Sequence, residues 1–268
     1  MRVRQPNLDF SGVRAHWTAN VELAQHFNAN SMVPAYIEPY LIKVMRRAKE
    51  RLPPGDEELH RDLDVFIRQE AQHYKLHQAF NRALREDGYE GMLEYEKAYE
   101  ADYERFLAKR SLRFNVAYCE GFEAIGAAGA KFWVEDAERV LRDADPRVVE
   151  LWKWHLAEEY EHRTVCSRVF HALYGKGPTK GYVTRVLGFL YALRHIRGHT
   201  RRLTSYLLAK DREAMGPDEA QRSLEREQRF WKSRRPAERA LVRAVVSPSY
   251  DPAAIPAPKG IDAFLAQY

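Results

Sequence analysis

The sequence predicts an all-α fold, a four-helix bundle with additional C-terminal helices. Apolar residues recur three and four positions apart over long stretches, which is the period of one helix face. Helix-breaking runs separate these stretches at Pro53-Pro54-Gly55 and Asp145-Pro146. In the stretches 59–84 and 148–173, ionisable side chains occupy the middle of the apolar stripe. Long amphipathic segments with such breaks between them are typical of packed helices.

The elements are expected to form a single domain over residues 1–268. Asp56 and Asp145 are good N-caps for the second and fourth bundle helices, and Gly175 is a natural C-cap. The predicted parts are an N-terminal arm (1–30), a core bundle (31–175) with a connector helix (89–110), accessory helices (179–246) and an extended tail (247–268). The bundle helices are expected from near Pro34 to Leu52, from Asp56 to near Gly88, from Leu112 to Leu141 and from Pro146 to near Gly175. The accessory part is expected to hold a helix over 182–208 and a shorter helix or two over 222–246.

The third bundle helix is unusually rich in small residues between Gly121 and Ala130. Small side chains allow two helices to approach closely, and they can equally leave room for a substrate. Both interpretations stay open at the level of sequence.

Composition restricts the class of protein. The two cysteines, Cys119 and Cys166, exclude a disulfide framework and a cysteine-rich zinc site. The first ten residues contain no apolar run typical of a signal peptide, and no segment has the length and hydropathy of a membrane span. We therefore expect a cytoplasmic protein.

The net charge of +5 is concentrated in the last third of the chain. No nucleic-acid recognition motif accompanies the basic residues, so we expect no nucleic-acid partner. The basic and apolar helix over 182–208 could touch a membrane surface. We expect its apolar residues to pack on the bundle instead.

The fourth bundle helix carries three ionisable residues on its apolar face. His155, Glu159 and His162 are spaced four and then three residues apart, so they share one side of the helix. A buried carboxylate flanked by imidazoles is costly unless it is compensated, and a metal ion commonly does this. The motif predicts a metal site.

A second Glu-x-x-His motif, Glu70 to His73, is centred in the apolar stripe of the second helix. Two such motifs are the signature of di-iron carboxylate bundles, which take one further glutamate from each of the other two helices. Glu38 is the candidate from the first helix. The third helix offers Glu123 or Glu120, of which Glu123 is favoured because small residues follow it.

Four glutamates would cancel the charge of two divalent ions, and imidazole with carboxylate suits iron or manganese. His155 is expected to be a third histidine ligand, and His77 is either a ligand or a support for one. The predicted ligands are Glu38, Glu70, His73, Glu123, His155, Glu159 and His162, with Glu120 and His77 as less certain members. We expect two iron ions, with manganese or a mixed Mn/Fe pair as the alternative.

Three segments of the chain resemble a bacterial family catalogued as predicted metal-dependent hydrolases. They are Arg4-Gln-Pro-Asn-Leu-Asp-Phe-Ser, the run from Phe66 through His77 to Asn81, and Trp154 to His162. The resemblance implies a ferritin-like fold around a metal site. The chain departs from the family pattern where Ala124 follows Glu123, because a histidine is usual there.

The triplet His155, Glu159 and His162 is also similar to the helix-four ligands of di-iron arylamine N-oxygenases, which implies a seven-ligand site that activates oxygen. Three functions follow as hypotheses. The first is a di-iron oxygenase or oxidase that uses O₂, a small apolar or aromatic substrate and an external electron donor. The second is a metal-dependent hydrolase that activates water with two ions. The third is a non-catalytic ferritin-like metal-binding protein. A homodimer is expected.

Overall fold

The computed structural model describes the backbone of residues 1–268 and all side chains except those of Thr179 and Lys180. No strand occurs among the described residues, which confirms the all-α prediction. The helices are α1 (Val21–Lys49), α2 (Glu57–Leu84), α3 (Met92–Lys109), α4 (Leu112–Ala127), α5 (Ala137–Val140), α6 (Pro146–His162), α7 (Val165–Tyr174), α8 (Val183–Glu213), α9 (Pro217–Val245) and α10 (Ile261–Leu265).

Helices α1, α2, α4 and α6 form the bundle that surrounds the ionisable stripes. Helix α1 lies along α2, α4 contacts α1 and α6, and α6 also contacts α2. The connector α3 packs on α1 and α8, and α8 runs along α4. A Cβ atom at Gly121 would lie 2.6 Å from the Cα of Phe189 in α8. This part of the small-residue run therefore serves close helix packing.

The predicted arm over 1–30 is wrong for its last ten residues, because α1 begins at Val21. The Asn20 side chain caps the helix by accepting a hydrogen bond from the backbone N–H of Leu23, at 3.1 Å. Pro34 and Pro39 lie inside α1 rather than at its start. Pro39 cannot donate to the carbonyl of Ala35, and the side-chain amide of Gln78 donates to that oxygen instead, at 3.0 Å.

The third and fourth bundle helices are shorter than predicted. Helix α4 ends at Ala127, where the glycine-rich run lowers helix propensity, and a wide helical turn over 132–136 follows before α5. The predicted fourth helix divides into α6 and α7. The guanidinium of Arg163 donates to the carbonyl of Tyr160 at 2.7 Å, which is the oxygen that a continuing helix would use.

The C-terminal part is more helical than predicted. Helix α8 extends to Glu213, and α9 is one helix that contains Pro236 in its interior. The tail is not simply extended, since a short 3₁₀ turn over 252–254 and α10 lie within it. Phe264 and Leu265 of α10 bury apolar surface against Trp154 of α6, which explains why this segment is ordered into a helix.

The apolar residues of α8 divide between the bundle and the surface. Phe189 and Leu203 are fully buried, whereas Leu187 is 61% exposed. None of the helices described in the structure has the length and hydropathy needed to cross a membrane. Contact of this helix with a membrane surface stays a prediction.

Candidate metal centre

Four helices bring the seven favoured donor residues together in the bundle interior. Helix α1 supplies Glu38, α2 supplies Glu70 and His73, α4 supplies Glu123, and α6 supplies the remaining three. All seven side chains are buried. Their ligand atoms form two groups, each within 4.8 Å: Glu38, His73, His155 and Glu159 in one, and Glu70, Glu123, Glu159 and His162 in the other.

The first group is arranged around His155. Its Nε2 atom lies 3.3 Å from Oε1 of Glu38 and 3.1 Å from Oε1 of Glu159. The Nδ1 atom of His73 lies 3.9 Å from the same oxygen of Glu159. Two carboxylates and two imidazoles therefore point at one small volume, which is a donor set suited to iron, manganese or zinc.

The second group is arranged around His162. Its Nε2 atom lies 3.1 Å from Oε1 of Glu70, 3.5 Å from Oε2 of Glu123 and 3.6 Å from Oε1 of Glu159. Glu159 belongs to both groups, so its carboxylate could help to hold an ion in either one. Ligation by these residues stays a prediction.

Most of the candidate metal-ligand atoms have no hydrogen-bond partner among the described residues. Both carboxylate oxygens of Glu38, Glu70 and Glu123 are buried without a partner, and so is Oε2 of Glu159. Leaving a charged acceptor buried and unsatisfied is costly, so such atoms require a cation or a proton. The residues present therefore fit a pair of metal ions.

Burial and mutual repulsion perturb the carboxyl groups. Burial, and then the neighbouring carboxylates, raise the pKa of Glu38 and of Glu123 well above the ordinary value. Burial opposes the ionised form of Glu159 too, but the hydrogen bond to His155 and the nearby imidazole of His162 outweigh it and lower the pKa of Glu159. The metal-free site thus holds protons that ions would displace.

The network that orients His73 was not anticipated from the sequence. His73 Nε2 donates to Glu158 Oε2 at 2.9 Å, and the Arg4 guanidinium lies 2.9 Å from the other oxygen of Glu158. Burial lowers the pKa of His73, but the hydrogen bond to Glu158 and the nearby carboxylate of Glu70, whose Oε2 atom lies 3.8 Å from His73 Nδ1, outweigh it and raise the pKa to about 10. The geometry leaves Nδ1 of His73 directed at the centre. A carboxylate that holds a histidine in this way raises its basicity as a ligand.

The other two histidines are oriented in the same manner. His162 Nδ1 donates to the side-chain oxygen of Gln69 at 3.1 Å. His155 Nδ1 lies 2.8 Å from His77 Nε2, and His77 Nδ1 lies 2.8 Å from the Ser31 hydroxyl. His77 therefore contacts a candidate ligand from behind and does not reach the centre itself. Of the two roles left open for His77, the geometry favours support.

Glu120, the less favoured candidate on α4, points away from both groups. It is buried, and its Oε1 atom lies 3.8 Å from the guanidinium of Arg185 on α8. Burial raises the pKa of Glu120 to about 7, although Arg185 opposes the shift. Of the two glutamates, only Glu123 is directed at the centre.

A third group of donors lies outside the bundle interior and was missed by the sequence interpretation. His195 and His199, one turn apart on α8, face Asp102 of α3. Their Nε2 atoms lie 3.0 and 2.9 Å from Oδ2 of Asp102. These side chains satisfy one another by hydrogen bonding, unlike the carboxylates of the central site, so nothing in their geometry requires an ion.

A cavity of about 490 Å³ reaches the centre from the side of α4. His155 and Glu159 lie at its inner end. A Cβ atom at Gly126 would lie 2.3 Å from Oε2 of Glu159, so the small residue here makes room for a donor atom. The remaining wall is mainly apolar and aromatic, with Phe27, Phe122, Ile125, Phe132, Trp133 and Trp152.

The perturbed groups predict how the stability of the metal-free protein depends on pH. Between pH 7 and 8 the folded state retains a proton on His73, whose pKa is raised to about 10, whereas the unfolded state has released it. The raised pKa of Glu38 and of Glu123 acts in the same direction. Stability therefore falls as pH rises. Histidines with a lowered pKa, such as His155, make the folded state more stable as pH rises, but only below about pH 6.5. We expect the urea midpoint of metal-free protein to fall across this range.

Two controls make the pH prediction specific. Glu38→Gln, which cannot titrate, should show a shallower slope, and loading with metal should flatten or reverse the slope because ions replace the protons. A metal-free midpoint that stays constant or rises between pH 7 and 8 would contradict the electrostatic description of the site.

Glu123 and Glu120 provide a matched pair for testing metal ligation, since both are buried glutamates on α4. Glu123→Gln removes a charged oxygen from the centre and should lose at least one of two ions. Glu120→Gln should retain both. The measurement is elemental analysis after manganese loading and desalting. Equal metal content in the two variants would show that Glu123 is an ordinary buried polar residue.

Comparison with protein-family models gives a match over residues 2–255 to the family described as "Predicted metal-dependent hydrolase". Comparisons with curated proteins and with solved structures give no match. The matched region includes α1 to α9 and all of the donors described above. The family description agrees with the metal dependence that the buried Glu and His side chains indicate. The chain belongs to the family of predicted metal-dependent hydrolases.

Proposed function

We propose that the protein is a metal-dependent hydrolase with a dinuclear centre. The observation that carries the proposal is the set of buried, unpartnered carboxylate oxygens of Glu38, Glu70 and Glu123 beside imidazole nitrogens. Four glutamates with three histidines match two divalent ions in charge and in donor chemistry. The sequence favours oxygen chemistry at this site, but the family description supports hydrolysis better.

The seven residues at the centre would hold the two ions, and Glu159 belongs to both groups of ligand atoms. Divalent ions at such a site would acidify water and polarise the carbonyl of an ester or amide. Glu158 and Gln69 fix the direction of His73 and His162, so the donor geometry exists before a substrate arrives. The aromatic wall of the cavity would displace water around a bound substrate, which would strengthen electrostatic interactions at the centre.

Hydrolysis also requires polar groups that act on the substrate, and the cavity contains such groups besides the candidate ligands. His26 and Asn30, one turn apart on α1, line the same cavity as His155 and Glu159. Burial, and then the charge of Arg234, lower the pKa of His26 to about 3, so its imidazole is neutral at pH 7. We infer that the His26 ring and the Asn30 amide hydrogen-bond the substrate as it lies in the cavity.

A di-iron oxygenase is the second candidate function. The donor set of four glutamates and three histidines supports it, and so does the apolar lining of the cavity, which suits an apolar or aromatic substrate. Iron or manganese would supply the electrons that O₂ requires, whereas zinc cannot change oxidation state. This difference makes the two candidates separable by experiment.

The test is to remove all metal, reload the protein anaerobically with zinc or with iron, and compare two activities. We expect the zinc form to hydrolyse an aryl ester such as 4-nitrophenyl benzoate, and Glu123→Gln to lose that activity while Glu120→Gln retains it. Oxygen uptake by the iron form, together with an inactive zinc form, would overturn the hydrolase proposal in favour of the oxygenase.

A further inference from the structure

The cavity that reaches the metal centre continues outward between α8 and α9. A second cavity of about 310 Å³ shares His26, Asn30 and Arg234 with it. The inner cavity is lined by the candidate ligands His155 and Glu159, whereas Arg234 lies where the two meet. A ligand that occupied both would therefore extend from the centre to the surface.

The outer cavity carries more positive charge than its carboxylates balance. Four arginines line it: Arg197, Arg201, Arg234 and Arg235. Arg197 is paired with Glu238. No ion pair with a described carboxylate involves the other three, and the guanidinium groups of Arg201 and Arg234 lie over the rings of Trp231 and Phe230 at 5.3 and 5.6 Å.

The unbalanced positive charge is confined to the outer cavity, because the arginines in the first half of α9 are paired. There, Arg222 and Arg226 are paired with Glu219, and Arg229 lies 3.8 Å from Glu225. Guanidinium groups that are pre-positioned on aromatic rings and lack an anion are suited to bind a carboxylate or phosphate.

We propose that the substrate is an amphipathic acid, with its anionic group at Arg201 and Arg234 and its aromatic or alkyl body in the inner cavity. This inference deepens the proposed function, because it assigns a substrate class to the same site. The bond that reacts lies at the inner end, at the metal centre, and so is separated from the anionic group by the apolar body. A neutral substrate of the same shape would leave the arginines without a partner.

The experiment compares 4-phenylbutyrate with its neutral amide by calorimetry on the full chain, in metal-free and zinc-loaded forms. The acid should bind about tenfold more tightly than the amide in both forms, as expected for charge-assisted hydrogen bonds. Arg201→Met with Arg234→Met should bring the two affinities together. Arg239→Met, at an exposed position of α9 outside both cavities, should keep the preference. Arg201 and Arg234 are exposed, so the double variant is expected to retain the fold, which its urea midpoint verifies.

Equal affinity for acid and amide in the wild-type chain would overturn the inference. A second result would also overturn it: a preference for the acid that is lost when metal is removed but is kept by the double variant. The acid would then bind to the ions and not to the arginines. Failure of the proposed function gives a different result from failure of this inference. A chain that binds no metal but keeps an arginine-dependent preference would refute the dinuclear hydrolase and retain the acid-binding cavity.

Discussion

The structure depends on one electrostatic constraint, four carboxylates enclosed in the interior of a helical bundle. In a low-dielectric environment their repulsion and desolvation oppose folding, unless cations or protons neutralise them. Two divalent ions supply four positive charges, which equals the charge of Glu38, Glu70, Glu123 and Glu159. Ion binding at these residues would therefore contribute directly to the stability of the native state, since the unfolded chain has no such site.

The rest of the chain holds this arrangement in place. Arg4, near the N-terminus, is paired with Glu158 and Glu161 of α6 and also donates to the carbonyl of Leu265 in α10. Glu161 in turn accepts a hydrogen bond from Gln69 at 2.7 Å. Both ends of the chain thus meet at the residues that orient His73 and His162. We infer that the packed tail contributes to the rigidity of the centre.

The candidate ligands on α2 and α6 could be predicted from helical periodicity, because Glu-x-x-His spacing places both side chains on one face. The choice between Glu120 and Glu123 needed the structure, since Arg185 on a distant helix decides which way Glu120 points. The supporting residues Glu158 and Gln69 were missed because each adjoins a ligand in sequence and lies off the apolar stripe. The helix ends at Asn20 and Arg163 depend on local side-chain hydrogen bonds, which hydrophobic periodicity does not encode. The outer cavity with its arginines depends on how α9 packs, which the periodicity does not encode either.

Anomalous diffraction from crystals loaded with manganese tests the central claim most directly. Two peaks are expected about 3.5–4 Å apart, as in other two-metal sites. One should lie among Glu38, His73 and His155 and the other among Glu70, Glu123 and His162, with the carboxylate of Glu159 between them. Bound manganese only at the group of Asp102, His195 and His199, or no peak within the bundle, would contradict a dinuclear centre.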